Sequence, residues 1–135
     1  MFRTRLAFAP HRLLWPDLAR RLTAAVPAPE VVPLNTVYGI VTRSADDAHA
    51  LAALFNSRVL TALARLRADP ARGGFRRFNA RVVRELPVPL ADPVAWRALA
   101  AAGRRGEVDE HAVAELYQLD GPDRRALAAL APDPF

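Results

Sequence analysis

Prolines and one glycine pair cut this chain into short pieces and set an upper length on every regular element. Twelve of the 135 residues are proline. Pro27, Pro29 and Pro33, then Asp69-Pro70, then Pro87-Val88-Pro89, each interrupt a helix, because proline has no N–H to donate and crowds the residue before it. Gly73-Gly74 forms a further break, where the backbone is free to take a positive φ.

Within those limits the pattern predicts an α+β, mostly helical small domain, with a short strand region at about 31–42 and a long central helix at about 45–68. Pro16 suits a first helical turn, and Leu18, Leu22, Ala25 and Val26 share one face, so a helix is expected over 16–26. Val31, Val32, Thr36, Val37, Tyr38, Ile40, Val41 and Thr42 are β-branched or aromatic and predict a strand or strand pair bent near Asn35 or Gly39. Ser44 is the expected cap of the central helix, with Asp46 and Asp47 at its positive end. Leu51, Leu54, Phe55, Val59, Leu63 and Leu66 form its apolar face, and Asn56-Ser57 interrupts that face as a polar packing feature. Asn79 is expected to cap a short helix ending at Pro87. Asp92-Pro93 starts another that runs to Gly103. Two more follow, at about 109–117 and 122–130.

Several chemistries are excluded. There is no cysteine, so disulfide, thiolate-metal and cysteine-nucleophile sites are absent. His11, His49 and His111 are too far apart in sequence to pair on a metal at helical spacing. The two serines, Ser44 and Ser57, sit in no nucleophile elbow, and no glycine-rich phosphate cradle of the dinucleotide or nucleoside-triphosphate type occurs. Glu107, Asp109, Glu110 and Glu115 read as a solvated helix surface. No apolar run approaches the ~20 residues of a membrane helix. The start, with Arg3, Arg5 and Arg12 and no acid, superficially resembles a transit peptide. A cytoplasmic protein without a membrane partner is the expectation.

Charge carries the positive signal. All nineteen basic residues are arginine and the net charge is +5. Residues 51–90 alone hold eight arginines against two acids, whereas residues 91–135 hold five against eight. Arg72, Arg76, Arg77, Arg81 and Arg84 lie within thirteen residues, interleaved with Phe75 and Phe78, directly after or beside Gly73-Gly74. Guanidinium forks match phosphate oxygens and the guanine edge, aromatic rings stack on or wedge between bases, and glycine lets backbone approach closely. Arg58 and Arg65, two turns apart, extend the basic stripe. Asn79 adds a capped helix start. The DNA-binding candidates are therefore Arg58, Arg65, Arg72, Gly73, Gly74, Phe75, Arg76, Arg77, Phe78, Asn79, Arg81 and Arg84. No catalytic, cofactor-binding or metal-ligating residue is predicted.

The order of these segments resembles a known family. Leu34-Asn35-Thr36-Val37-Tyr38-Gly39-Ile40, then Leu51-Ala52-Ala53-Leu54-Phe55-Asn56-Ser57, then Gly73-Gly74-Phe75-Arg76-Arg77-Phe78 and Leu86-Pro87-Val88-Pro89, is similar to the C-terminal target-recognition (specificity) region of adenine-specific DNA methyltransferases of restriction–modification systems. Arg12-Leu13-Leu14-Trp15-Pro16-Asp17 resembles the lead-in to that region. Val108-Asp109, Val113, Glu115-Leu116-Tyr117 and Leu119 resemble its tail. Phe55 and Gln118 depart from the pattern. The resemblance spans about 11–130 and implies one target-recognition domain over 1–135, with 11–90 as the specificity core and 91–135 as a helical tail. It also implies two partners, double-stranded DNA and a methyltransferase catalytic domain or subunit. The family's Asn/Asp-Pro-Pro-Tyr/Phe motif and its S-adenosylmethionine glycine motif are both missing. The resemblance therefore implies no cofactor in this chain, S-adenosylmethionine in a separate catalytic domain, and no methylation by this chain alone. The alternative is a non-enzymatic interaction module that docks on a partner through the C-terminal helices bearing Trp96, Leu116 and Tyr117.

Overall fold

A computed structural model describes residues 6, 8–34, 36–89 and 91–130. Among them five short strands and six α-helices form a small α+β fold. Strand β1 (Arg12–Pro16) pairs antiparallel with β3 (Val37–Val41), with Trp15 opposite Tyr38 and Leu13 opposite Ile40. A second, three-stranded sheet sets β5 (Arg76–Arg77) between β2 (Leu18–Ala19) and β4 (Asp69–Pro70), both antiparallel to it. The helices are α1 (Ala45–Phe55), α2 (Arg58–Arg67), α3 (Ala80–Arg84), α4 (Pro93–Arg104), α5 (Glu110–Leu116) and α6 (Gly121–Ala128).

The caps fall where the side-chain chemistry places them. Ser44, Asn79, Asp92, Asp109 and Asp120 each accept the N–H three residues on, satisfying one of the donors that every helix start leaves open. Helices α3 to α6 thus match the expected segments.

Three segments differ from expectation. The helix predicted over 16–26 does not form. Leu14 and Ala25 exchange backbone hydrogen bonds at 2.9 Å, Leu22 N–H donates to Thr61 Oγ1, and Ala24 N–H donates to Asn56 Oδ1. Eleven residues make a marginal helix unaided, so donors and acceptors elsewhere in the fold win the backbone. Strand structure in the 31–42 region is confined to Val37–Val41, and Asn35 lies outside the described residues. The carbonyls of Ala28, Pro29 and Val31 instead converge on the buried Arg12 guanidinium, at 2.9, 3.3 and 2.6 Å.

The third difference is the central helix, which is two helices. Ser57 Oγ donates to Leu54 O at 2.6 Å and accepts Leu60 N–H at 3.2 Å, so one residue ends α1 and caps α2. The Asn56 amide grips Ala24 through both its oxygen and its nitrogen, at 2.8 and 2.9 Å. The polar pair that interrupts the apolar face is therefore the joint itself.

Trp15 stands at the centre of the core. Its ring stacks on Tyr38 at 6.2 Å and meets Phe55 edge-on at 5.7 Å. Its indole N–H donates to Phe78 O at 2.7 Å, which fastens the start of α3 to β1. On the other side α1 lies against α4 through small residues: Ala48, Ala52, Ala100 and Ala102 are buried. The Tyr117 hydroxyl donates to Pro87 O at 2.6 Å and ties α5 to the proline connector. Among the described residues no helix is long and apolar enough to cross a membrane.

Candidate nucleic-acid interface

The glycine pair builds a tight turn between β4 and β5. Gly73 and Gly74 take φ of 70° and 78°, a left-handed geometry that disfavours any side chain carrying a Cβ. Ala71 N–H donates to Phe75 O at 2.8 Å and closes the hairpin around Arg72, Gly73 and Gly74. All three turn residues are exposed. The candidate bend is therefore presented outward on a fixed backbone.

Cations collect around it. Arg76 follows the turn on β5, opposite Ala19 and Pro70. Arg65, in the last turn of α2, donates through Nη1 to Arg20 O at 2.7 Å and to Gly74 O at 3.1 Å. Burial and the neighbouring Arg76 charge both lower the Arg65 pKa from its ordinary value, although a guanidinium remains charged. The Arg20 guanidinium lies over the Phe75 ring, 5.4 Å from its centre, a cation–π contact. Arg20 belongs to the segment expected to be helical, fifty residues before the turn, and nothing local in the sequence marks it. Its place here follows from the pairing of β2 with β5.

The other candidates divide. Phe75 is partly exposed beside the turn, but Phe78 is fully buried, and its carbonyl serves Trp15. Phe78 is a core residue, and its ring is not available to a base. Asn79 spends its side-chain oxygen on Val82 N–H, which makes it a helix cap rather than a ligand group. Arg77 pairs with Asp17 at 3.2 Å, so its charge is matched within the chain. Arg81 and Arg84 are exposed on α3.

Arg58 is not brought to the bend. It opens α2, roughly 10 Å along the helix axis from Arg65, and its backbone N–H donates to both oxygens of Glu110 at 3.0 Å. Glu110 is half-buried, and burial raises its pKa against the opposing pull of the Arg58 N–H and of the Arg58 and Arg21 charges. The folded state thus holds the Glu110 proton more tightly than the unfolded chain. The linked stability is greatest below the ordinary glutamate range and falls as pH rises through the elevated folded value. A Glu110→Gln variant is expected to flatten this fall in a series of thermal melts from pH 4 to 7. An unchanged pH profile would refute the assignment.

Among the described residues Arg20, Arg65, Arg72, Arg76, Arg81 and Arg84 have no carboxylate at ion-pairing distance, while Arg43, Arg67, Arg77, Arg104 and Arg105 each have one. Arg58, Arg97, Arg124 and Arg125 are likewise without one, so unmatched cations stand at the hairpin tip and on α3 but also at the start of α2 and on α4 and α6. Among the described residues no group of three or more histidine, aspartate or glutamate side chains is placed to hold a metal ion. No protein-family model matches the chain, and comparison with curated proteins finds no match.

Proposed function

We propose that this chain is a target-recognition module that binds double-stranded DNA for an adenine-specific methyltransferase of a restriction–modification system, in the cytoplasm. S-adenosylmethionine and the base-flipping chemistry belong to a separate catalytic domain or subunit with which the module acts. The supporting observation is the set of unmatched guanidinium groups on one turn and the following helix. Arginine forks left without carboxylates repel one another in the free protein, and phosphate oxygens relieve that repulsion.

Phosphate contacts set register and the minority reaching base edges set sequence preference. With four cations neutralising phosphates, the logarithm of the duplex association constant is expected to fall with the logarithm of salt at a slope of about −4. Fluorescence anisotropy with a labelled duplex between 50 and 300 mM salt measures it. An affinity indifferent to salt overturns the reading.

A second reading has one observation in its favour. Ala95, Ala98, Leu99, Ala102, Ala112 and Leu116 line a groove of about 400 Å³ between α4 and α5, rimmed by Arg105, Asp109 and Glu115. A docking partner for the C-terminal helices would enter there rather than at Trp96 or Tyr117. Those two are engaged inside the fold, the first with Asp47 and the second with Pro87. Replacing Arg72 and Arg76 by Ala separates the readings. Lost DNA retention with partner binding intact supports the first, and the reverse supports the second.

A further inference from the structure

Strand β3 is paired along one side only. Its ladder with β1 is set by the bonds at its two ends, Asp17 N–H to Thr36 O and Thr42 N–H to His11 O, both at 3.0 Å. In an antiparallel pair such bonds fall on every second residue, so Tyr38 and Ile40 turn their N–H and C=O groups to β1. Gly39 and Val41, one residue out of step, turn theirs away. Leu14, opposite Gly39 on β1, shows the same alternation: its outward N–H and C=O are both taken by Ala25 at 2.9 Å. Gly39 and Val41 have no such partner among the described residues, where the sheet ends at β3. An unpaired strand edge is a template for another extended chain.

A cavity of about 330 Å³ adjoins this edge. Gly39 and Ile40 of the strand line it, and Trp15, Leu51, Phe55 and Val83 supply apolar wall. Arg84 lines it too, and among the described residues no carboxylate lies at ion-pairing distance from that guanidinium. Open ladder groups, apolar space and an unmatched cation therefore stand side by side. We propose that the free edge of β3 docks an extended segment of a partner protein, which adds to the sheet as a strand, sets one apolar side chain in the cavity and presents a carboxylate to Arg84. Main-chain bonds to Gly39 and Val41 supply affinity, and the cavity selects the side chain.

The observations favour this occupant over others. A nucleic acid offers no run of amide donors and acceptors at strand spacing. A second copy paired through β3 brings no acidic residue for Arg84. Its core-facing side chains, Tyr38 and Ile40, are already packed in their own chain. Side chains alternate across a strand, so the anchor is the partner residue opposite Ile40. The inference does not depend on the DNA-binding reading; within that reading the segment belongs to the catalytic subunit.

The test uses the full chain and a labelled peptide that alternates threonine with valine, carries one leucine and ends in a free carboxylate, followed by anisotropy. V41P removes one outward N–H, at a strand-edge position where proline is tolerated. It is expected to weaken the peptide about tenfold, the upper size of one hydrogen bond. R84Q is expected to weaken the peptide acid similarly and to leave its C-terminal amide unchanged, and R97Q on α4 is expected to match wild type. Two peptides N-methylated on alternate backbone nitrogens examine the ladder without altering the protein. One is expected to lose binding and the other to keep it.

Equal binding of the two methylated peptides, or full binding by V41P, overturns strand addition. Acid and amide peptides that respond alike to R84Q overturn the carboxylate contact. A chain that sediments as a dimer, and as a monomer in V41P, overturns the partner segment in favour of a second copy. Peptide binding without any duplex binding supports the edge and overturns the DNA-binding reading. Duplex binding without peptide binding overturns the edge alone.

Discussion

Gly103→Ala is expected to destabilise the protein by about 3 kcal/mol, the upper end for overpacking. A Cβ at Gly103 would lie 2.0 Å from His49 O and 2.8 Å from His49 C. Both atoms are backbone of α1, so no rotamer change makes room and the two helices must separate. The separation would extend to the neighbouring alanines, because Ala48, Ala52, Ala100 and Ala102 are buried along these same two helices. Gly106, three residues on, is the matched control. It has φ of 68° and open space around its Cβ position, so alanine there costs only the left-handed strain of about 1 kcal/mol. Urea unfolding of the two variants measures the contrast, and equal losses would show that the close helix crossing is not what Gly103 provides.

Arg12→Met is expected to lower stability by a similar amount, about 3 kcal/mol, through polar groups rather than volume. Arg12 is 2% exposed and its side chain donates to the carbonyls of Val31, Ala28, Pro29 and, at 3.4 Å, Leu6. Methionine keeps the aliphatic stem and removes the donors, leaving carbonyls of the proline-rich connector without them. The connector should then open locally. Limited proteolysis would cleave within 27–33 before the rest of the chain unfolds, and a variant as resistant and as stable as wild type would contradict the role.

Arg12 and the helix caps show what a sequence does and does not disclose. Helix starts were legible because capping is local: Ser44, Asn79 and Asp92 each act on an N–H three residues away. The breaks at Gly73-Gly74 and at Pro87 were legible for the same reason. The segment 16–26 was not, because its backbone is claimed by Thr61 and Asn56, roughly forty and thirty residues distant. Arg12 reads as a surface cation in a basic start, and only the folded connector turns it inward.

At the candidate interface, residue type marked out the glycine turn but not the division of labour around it. Arg65 bridges carbonyls, Arg77 meets Asp17, Phe78 fills the core and Arg20 arrives from another strand. Each of those outcomes depends on a partner far away in sequence, which no local pattern records.

The hydrogen bond from the Trp15 indole to the Phe78 carbonyl has an optical consequence. The cationic hairpin reaches the interior within two residues of Arg76, and the group it meets there is a fluorophore. An occupant that displaces β5 would move the Phe78 carbonyl and, with it, the polar partner of the indole. A shift in Trp15 emission on adding duplex DNA is the expected readout of such a displacement, with Trp96, hydrogen-bonded to Asp47 instead, as the second emitter to be subtracted by substitution.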